Sequence, residues 1–181
     1  MQRRIVAILA VLITTLAAAT GAAEPLRIDV LSYNIHHAEG VDRRLDLERI
    51  ARVIRSVSPD IVALQEVDRN TMRTGQVDQP AELARLTEMK VVFEKNIDYQ
   101  GGEYGNAVLS KWPIIRHDNL HLANLDDGEQ RGVLMVELQP KHLDHTLLFL
   151  ATHLDHRRDD QERFASAEQI NLRVRERRDV P

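Results

Sequence analysis

Residues 106–114 read Asn-Ala-Val-Leu-Ser-Lys-Trp-Pro-Ile and follow directly on Glu103-Tyr104-Gly105. The apolar residues of this stretch predict a short strand that ends at Ser110, before Pro113 interrupts the pattern. Three other segments have the same form, an apolar strand that carries polar residues towards its C-terminal end. They are residues 28–35, 61–67 and 147–154.

Each of the four segments contributes one polar side chain near the end of its strand. These side chains are Asn34, Glu66, Asn106 and His153. In α/β proteins, ligands bind in the crevice beyond the carboxyl ends of the strands of a sheet. We therefore expect the fold to bring these four residues together in one site.

The spacing of apolar residues between these segments predicts an α/β fold. A helix is predicted at residues 47–57, with an N-cap at Asp46 and a stop at Ser58-Pro59. Because this helix lies between two apolar strands, the order of elements predicts a β-α-β crossover. Further strands are predicted at residues 91–97, 114–122 and 132–138, further helices at 81–89 and 161–177, and a polar loop at 68–79. The inner side of the last helix is predicted to carry Phe164, Ala167, Ile170 and Val174.

The composition predicts one soluble globular domain, because 43% of the 181 residues are hydrophobic and 29% are charged. The chain contains no cysteine, which excludes disulfides, a thiolate metal site and a cysteine nucleophile. The formal net charge of -4 offers no electrostatic argument for tight nucleic-acid binding, which usually needs a basic face.

Residues 1–23 are predicted to be a secretory signal peptide rather than part of the fold. Arg3 and Arg4 form a positive segment, residues 5–19 are apolar, and Gly21-Ala22-Ala23 resembles a cleavage site. An uncleaved N-terminal anchor is the alternative, although the apolar stretch is short for a transmembrane helix. The prediction is an exported protein, periplasmic or extracellular, whose folded domain occupies residues 24–181.

The residues near the strand ends are compatible with phosphate chemistry on a hard cation. The carboxylate of Glu66 would bind Mg²⁺, which takes oxygen ligands and keeps several waters. Asn34 would donate to a phosphate oxygen or bind metal through its carbonyl oxygen. His153 would act as a general acid or phosphate donor, oriented by Asp155 or another carboxylate. Each residue also has a purely structural interpretation, as a carboxylate bonded to a loop, a turn-forming asparagine or a hydrogen-bonded histidine.

Eight histidines raise zinc as an alternative metal. The candidate pairs are His36-His37, His142-x-x-His145 and His153-x-x-His156. The sequence contains no His-Glu-x-x-His motif, no Walker-type phosphate loop and no Gly-x-Ser-x-Gly nucleophile elbow. The histidine pairs are therefore a weaker hypothesis than an oxygen-ligated site.

Four short motifs, in this order along the chain, resemble the endonuclease/exonuclease/phosphatase family, which includes deoxyribonuclease I. They are Ser32-Tyr-Asn-Ile35, Ala63-Leu-Gln-Glu-Val67, Gly105-Asn-Ala-Val-Leu-Ser110 with Pro113-Ile114, and Thr152-His-Leu-Asp155. The resemblance implies a two-sheet α/β sandwich of the deoxyribonuclease I-like type. It also implies a phosphoester hydrolase that depends on Mg²⁺, with Mn²⁺ as an alternative ion.

The resemblance further implies a role for each matched residue. Glu66 would bind Mg²⁺, Asn34 would help to hold metal or phosphate, and His153 would contact the scissile phosphate, the last two as catalytic residues. Substrate contacts or positioning would come from Asn106, Arg131 and Asp155. The implied substrate is a phosphoester, whether nucleic acid, phospholipid or a small phosphodiester, and no stable protein partner is predicted.

The chain departs from the family pattern in its C-terminal part. Family members continue with a Gly-Asp-x-Asn motif and a Ser-Asp-His motif, which supply water activation and a further metal contact, and neither occurs here. The sequence resembles the N-terminal part of such an enzyme, with the C-terminal part of the fold missing. We expect weak or no activity, marginal stability and exposed apolar strand edges. The alternatives are a non-catalytic phosphate- or lipid-headgroup-binding module of the same fold, and an interaction protein without a ligand.

Overall fold

The computed structural model describes residues 27–125, 127–141 and 143–177. The predicted signal peptide and His142 lie outside these residues. The described strands are β1 (Val30–Asn34), β2 (Ile61–Arg69), β3 (Lys90–Tyr99), β4 (Gly102–Ser110), β5 (Ile114–His121), β6 (Gly132–Leu138) and β7 (Leu147–Thr152). The described α-helices are α1 (Leu47–Val57), α2 (Gln79–Thr87) and α3 (Gln161–Glu176).

The first sheet has the strand order β1-β2-β4-β3. β1 and β2 run parallel, with Val30 opposite Ile61, as expected for strands joined by the crossover helix α1. β4 pairs antiparallel with both β2 and β3. Because β2 lies between two strands and is covered on both faces, its apolar residues 61–64 are buried, as the sequence predicts.

Helix α1 packs on one face of the first sheet, where Ile54 and Leu64 belong to one apolar cluster. Asp46 is its N-cap, as predicted, and accepts a hydrogen bond from the backbone N–H of Arg49 at 2.8 Å. The helix stops at Ser58, which adopts a left-handed conformation with a φ of 53°. Local sequence signals therefore fix both ends of α1.

Helix α2 covers the same face and adds Leu83 to that cluster. It lies two residues earlier than the predicted range 81–89. The shift arises because Asp78 caps the helix by accepting from the backbone N–H of Ala81 at 3.0 Å, and because Glu88 ends it with a φ of 58°.

The second sheet is antiparallel with the order β5-β6-β7, and it packs against the opposite face of the first sheet. Ile61 and Val108 from the first sheet share an apolar cluster with Leu134 and Val136 from β6. The arrangement is a two-sheet α/β sandwich, which confirms the predicted fold class.

The predicted inner face of α3 is largely wrong. Phe164 is 65% exposed, Ala167 and Val174 are also exposed, and only Ile170 packs against an apolar cluster of the second sheet. The buried positions are instead Glu162 and Ser166. Helical periodicity pointed to the wrong stripe because α3 meets the sheet through charged contacts, described below. Within the described residues, no helix combines the length and apolar character that a membrane crossing needs.

Candidate active site

Two predicted site residues meet where the carboxyl end of β1 lies beside the middle of β2. Asn34 ends β1 opposite Gln65, so Glu66 lies beside it. Asn34 Nδ2 donates a hydrogen bond to Glu66 Oε1 at 2.7 Å, and Asn34 Oδ1 accepts one from the backbone N–H of His36 at 3.0 Å. In this arrangement the amide nitrogen of Asn34 positions the carboxylate, and its amide oxygen holds the turn that follows β1.

The sequence predicted that Glu66 lies at the end of its strand. In the structure Glu66 lies inside β2 and interrupts it. β2 continues to Arg69, and its register with β4 shifts between Leu64 and Val67. Glu66 has a φ of 58°, a left-handed conformation that costs a non-glycine residue about 1–2 kcal/mol. A bulge of this kind re-aims a side chain, and the Glu66 side chain remains 21% exposed beside an otherwise buried strand.

His153 approaches Glu66 from the second sheet. It follows directly on β7, and its Nε2 lies 4.0 Å from Glu66 Oε1. Arg131 Nη1 donates to Nδ1 of His153 at 3.3 Å and to Glu129 Oε1 at 2.7 Å. Because a guanidinium offers only N–H donors, Nδ1 must accept, which places the proton of the neutral imidazole on Nε2. The nitrogen that faces Glu66 is therefore the one that carries a hydrogen.

The surroundings of His153 favour its neutral form. Burial and, next, the positive charge of Arg131 lower its pKa below the ordinary 6.5, although the carboxylate of Glu66 opposes them. At neutral pH the residue presents one N–H donor at Nε2 rather than a positive charge. Arg131, whose side chain is only 5% exposed, thus acts through His153 in this structure.

Asn106 joins the two sheets beneath the site. It is 2% exposed, and its Nδ2 donates to the backbone carbonyl of Gly132 at 3.2 Å. The same carbonyl accepts from Thr152 Oγ1 at 2.9 Å, one residue before His153. Asn106 therefore ties the start of β6 to β4, and Thr152 ties the end of β7 to the same carbonyl of β6. This geometry fits the predicted positioning role, and a direct phosphate contact by Asn106 stays a prediction.

Asp155 lies apart from the hydrogen bonds of His153. Its carboxylate accepts from the backbone N–H of Arg157 at 3.0 Å and from Nε of the same residue at 3.1 Å. Arg157 also donates to Glu162 Oε2 at 2.5 Å, which ties the start of α3 to this segment. The partner that orients His153 is thus Arg131 with Glu129, whereas Asp155 organises the connection between β7 and α3.

The polar loop predicted at residues 68–79 is partly strand and partly a buried polar network. Asp68 is completely buried and accepts from Arg73 Nε at 2.7 Å and Nη2 at 2.8 Å. The Arg73 guanidinium carbon lies 4.6 Å from the centre of the Tyr99 ring and 5.4 Å from that of Tyr104. Gln79 Nε2 donates to the carbonyl of His37 at 2.8 Å, which connects this network to the turn after β1.

A small cavity of about 120 Å³ opens beside the Arg131–Glu129 pair. Its lining residues are Arg73, Ile97, Tyr99, Tyr104 and Glu129. Burial, followed by the negative charges of Glu129 and Glu66, raises the pKa of Tyr104, so its hydroxyl keeps its proton. The sequence analysis placed Arg73 in the polar loop 68–79 without assigning it a contact, and it missed Tyr104, although Tyr104 directly precedes the Gly105-Asn106 motif.

The family model of the endonuclease/exonuclease/phosphatase family matches residues 31–181. The chain belongs to this family. A protein of Escherichia coli strain K12 named "Uncharacterized protein YbhP" is 32% identical over 133 residues, which cover 69% of this chain and 52% of that protein. The 5'-tyrosyl-DNA phosphodiesterase of Caenorhabditis elegans is 27% identical over 147 residues, which cover 78% of this chain and 36% of the enzyme.

Solved structures of the family agree with the architecture. The endonuclease/exonuclease/phosphatase of Beutenbergia cavernae superposes with a TM-score of 0.65 at 25% identity, over 79% of this chain and 43% of that one. The chain therefore spans about half, or less, of the length of these relatives. The resemblance read from the four sequence motifs is confirmed at the level of family and fold.

The donor atoms at the site fit a hard divalent cation. Mg²⁺ is bound in proteins by one or two carboxylates, several waters and substrate phosphate oxygens. Glu66 supplies one carboxylate that is held by Asn34 and reachable from solvent. Glu66 would therefore be the protein group that holds such an ion, and Asn34 would position its carboxylate. The metal contact through the carbonyl oxygen of Asn34 stays a prediction, since this oxygen accepts from the N–H of His36.

Proposed function

We propose that this chain carries the Glu66–His153 half of the active site of a metal-dependent phosphoester hydrolase. The observation that supports it most is the convergence of Asn34, Glu66 and His153 from two different sheets. Glu66 Oε1 lies 2.7 Å from Asn34 Nδ2 and 4.0 Å from His153 Nε2. Membership of the family and the similarity to a 5'-tyrosyl-DNA phosphodiesterase support the same reaction class. Mg²⁺ is the proposed ion and Mn²⁺ the alternative.

Each residue has a defined task in this proposal. Glu66 would hold the cation, which when bound would stabilise negative charge on the phosphoryl oxygens. Asn34 fixes the carboxylate of Glu66 by its amide hydrogen bond. His153, neutral and protonated on Nε2, would donate a hydrogen bond to a phosphoryl oxygen.

Arg131 and Glu129 would keep His153 in this state. The guanidinium of Arg131 bonds Nδ1 of His153 on one side and the carboxylate of Glu129 on the other. A change at Arg131 would therefore alter the tautomer and orientation of the imidazole, an effect separate from substrate binding. Asn106 would act one step further out, by holding the two sheets in register at Gly132.

The groups attached to the phosphate would extend towards the cavity lined by Tyr99, Tyr104 and Arg73. Aromatic faces and an arginine can contact a planar or aromatic substituent. The cavity lies on the Glu129 side of the site, so it is open to the leaving group or to the retained part of a phosphodiester. We therefore propose phosphodiesters, rather than small phosphomonoesters, as the preferred substrates.

Weak or absent turnover by this chain alone stays a prediction. The sequence contains neither Gly-Asp-x-Asn nor Ser-Asp-His, the motifs to which the family resemblance assigns water activation. Export to the periplasm or outside the cell remains a prediction, since residues 1–26 lie outside the described part of the chain.

Hydrolysis of bis(p-nitrophenyl) phosphate in Mg²⁺, in Mn²⁺ and in EDTA tests the proposal. Any turnover by this chain is expected to be slow; the Glu66→Gln variant should lower it to the rate without enzyme, whereas Glu168→Gln, an exposed carboxylate on α3, should not change it. Unchanged hydrolysis in Glu66→Gln would show that the site is wrongly assigned. Binding of inorganic phosphate that depends on His153 but is the same in Glu66→Gln and in EDTA would instead support the non-catalytic binding module.

A further inference from the structure

We propose that His36, His37 and Glu66 form a binding site for a divalent transition metal of the zinc class. One potential ligand atom from each of these side chains lies within 4.8 Å of those of the other two. Three protein ligands of the type His-His-Glu, with a remaining position for water or substrate, are an established zinc donor set. Among the histidine, aspartate and glutamate side chains of the described residues, these three form the group whose ligand atoms all lie within 4.8 Å of one another.

The turn after β1 holds the two imidazoles on the same side. His36, His37 and Ala38 have φ values of 47°, 43° and 66°, so three consecutive residues are left-handed. The two imidazole rings lie with their centres 4.4 Å apart, tilted by 52°. Neighbouring side chains in an extended strand would point to opposite faces, so this backbone conformation allows both rings to face Glu66.

Contacts from distant parts of the chain fix this turn. Gln79 donates to the carbonyl of His37 at 2.8 Å, and the backbone N–H of Asp46 donates to the carbonyl of Ala38 at 3.0 Å. Asn34 Oδ1 accepts from the N–H of His36. The turn is therefore determined by tertiary contacts, and its donors are positioned before any ion arrives.

Glu39 supplies an outer partner for each histidine. The carbonyl of Glu39 lies 3.2 Å from Nδ1 of His36, and its carboxylate Oε2 lies 3.4 Å from Nε2 of His37. An imidazole N–H that faces a carbonyl or a carboxylate leaves the other ring nitrogen as a lone-pair donor, which is the usual outer arrangement of metal-bound histidines. Both rings can therefore offer an unprotonated nitrogen to a cation.

The donor types select the ion. Mg²⁺ takes oxygen ligands, whereas imidazole nitrogen suits zinc, cobalt, nickel and copper. Glu66 provides the one carboxylate of the set, and it is also the residue proposed above to hold Mg²⁺. Because both proposals use the carboxylate of Glu66, Zn²⁺ and Mg²⁺ would compete for it. Zn²⁺ binding itself does not require phosphoester hydrolysis, so it can be tested apart from the proposed function.

Titration of the metal-free chain with Zn²⁺ by calorimetry, and with Co²⁺ by visible absorption, tests the site. Asparagine tolerates the left-handed conformation, so His36→Asn and His37→Asn are suitable variants, with the exposed His145→Asn as the matched control. We expect one Zn²⁺ per chain, a Kd raised at least tenfold in each histidine variant and in Glu66→Gln, and no change in His145→Asn. Co²⁺ should give the intense visible bands of a low-coordinate nitrogen site, and these should disappear in the same variants.

Two results would overturn the inference. One is Zn²⁺ affinity that His36→Asn and His37→Asn leave unchanged. The other is an equal loss of Zn²⁺ and Mg²⁺ affinity in both variants, since imidazole ligands should matter for zinc alone. If His37→Asn fails to fold in EDTA, as judged by circular dichroism, the exposed His36 carries the test by itself. The readouts are metal binding, so a failed hydrolysis assay would count against the proposed function and not against this site.

Discussion

The two strands that deliver the candidate site, β2 and β7, are supported very differently. Seven of the nine residues of β2 are buried, whereas only one of the six residues of β7 is buried. β2 lies inside its sheet between β1 and β4, but β7 pairs only with β6 among the described residues. The carboxylate side of the site is thus built on a rigid interior strand, and His153 on an edge strand with an incomplete cover.

The largest expected effect follows from substituting one leucine in each of these strands. Leu64→Ala, at a fully buried position of β2, should lower the free energy of unfolding by about 2–5 kcal/mol. Leu148→Ala, at a partly buried position of β7, should cost only about 1 kcal/mol. Urea denaturation followed by circular dichroism measures both values. Equal losses would show that β7 is as well packed as β2, and the comparison would fail.

The next effect concerns the junction between the two sheets. Asn106→Ala removes the side-chain donor from the carbonyl of Gly132 and should cost about 1–3 kcal/mol. Thr152→Val removes the other donor to the same carbonyl but keeps the side-chain volume. Since Asn106 crosses from one sheet to the other and Thr152 does not, only Asn106→Ala should also reduce phosphodiester hydrolysis.

Two measurements distinguish these variants, the unfolding free energy in urea and kcat/KM on bis(p-nitrophenyl) phosphate. If Thr152→Val weakens hydrolysis as much as Asn106→Ala, the carbonyl of Gly132 matters through β7 itself and not through the tie between sheets. An active, equally stable Asn106→Ala variant would show that apolar packing alone aligns the two halves of the site.

The sequence predicted what depends on local pattern. Strand periodicity predicted the four segments and the polar side chains near their ends, from which we expected Asn34, Glu66 and His153 to meet. The two-sheet sandwich was implied by the resemblance of these motifs to the family. The family resemblance implied a metal-carboxylate role for Glu66, which stays a proposal. The resemblance could not show that Arg131 is the partner of His153. The two residues are 22 positions apart, and the sequence does not determine where the side chain of an arginine before a strand points.

What the sequence did not predict depends on contacts between distant residues. The inner face of α3 is polar because Arg173 pairs with Asp118 at 3.0 Å and Arg157 with Glu162, and hydrophobic periodicity cannot detect such partners. The turn at His36 and His37 is left-handed because Gln79 and Asp46 hold its carbonyls. Neither partner is visible in the local sequence around the turn.

The smallest expected effect is on pH dependence, and it compares one histidine from each side of the site. Burial is the main cause that lowers the pKa of both His37 and His153 below 6.5, followed by the charge of Arg73 for the first and of Arg131 for the second. The folded chain therefore disfavours both imidazolium ions, and the unfolded chain binds these protons more readily. The free energy of unfolding should be highest above about pH 6.5 and should fall as the pH drops below it.

Urea denaturation in EDTA between pH 7.5 and about pH 5.5, above the range in which ordinary carboxylates titrate, measures this loss. His37→Asn and His153→Gln should each reduce the dependence of stability on pH, because each removes one group that binds a proton only on unfolding. The exposed His145→Gln is the control and should leave the dependence as it is. The His37 side chain is 10% exposed and that of His153 is 24% exposed, so the first variant should have the larger effect. The opposite order would mean that the charge of Arg131 contributes more than burial to the neutral state of His153, so that the exposure of the two side chains does not decide which side of the site depends more on pH.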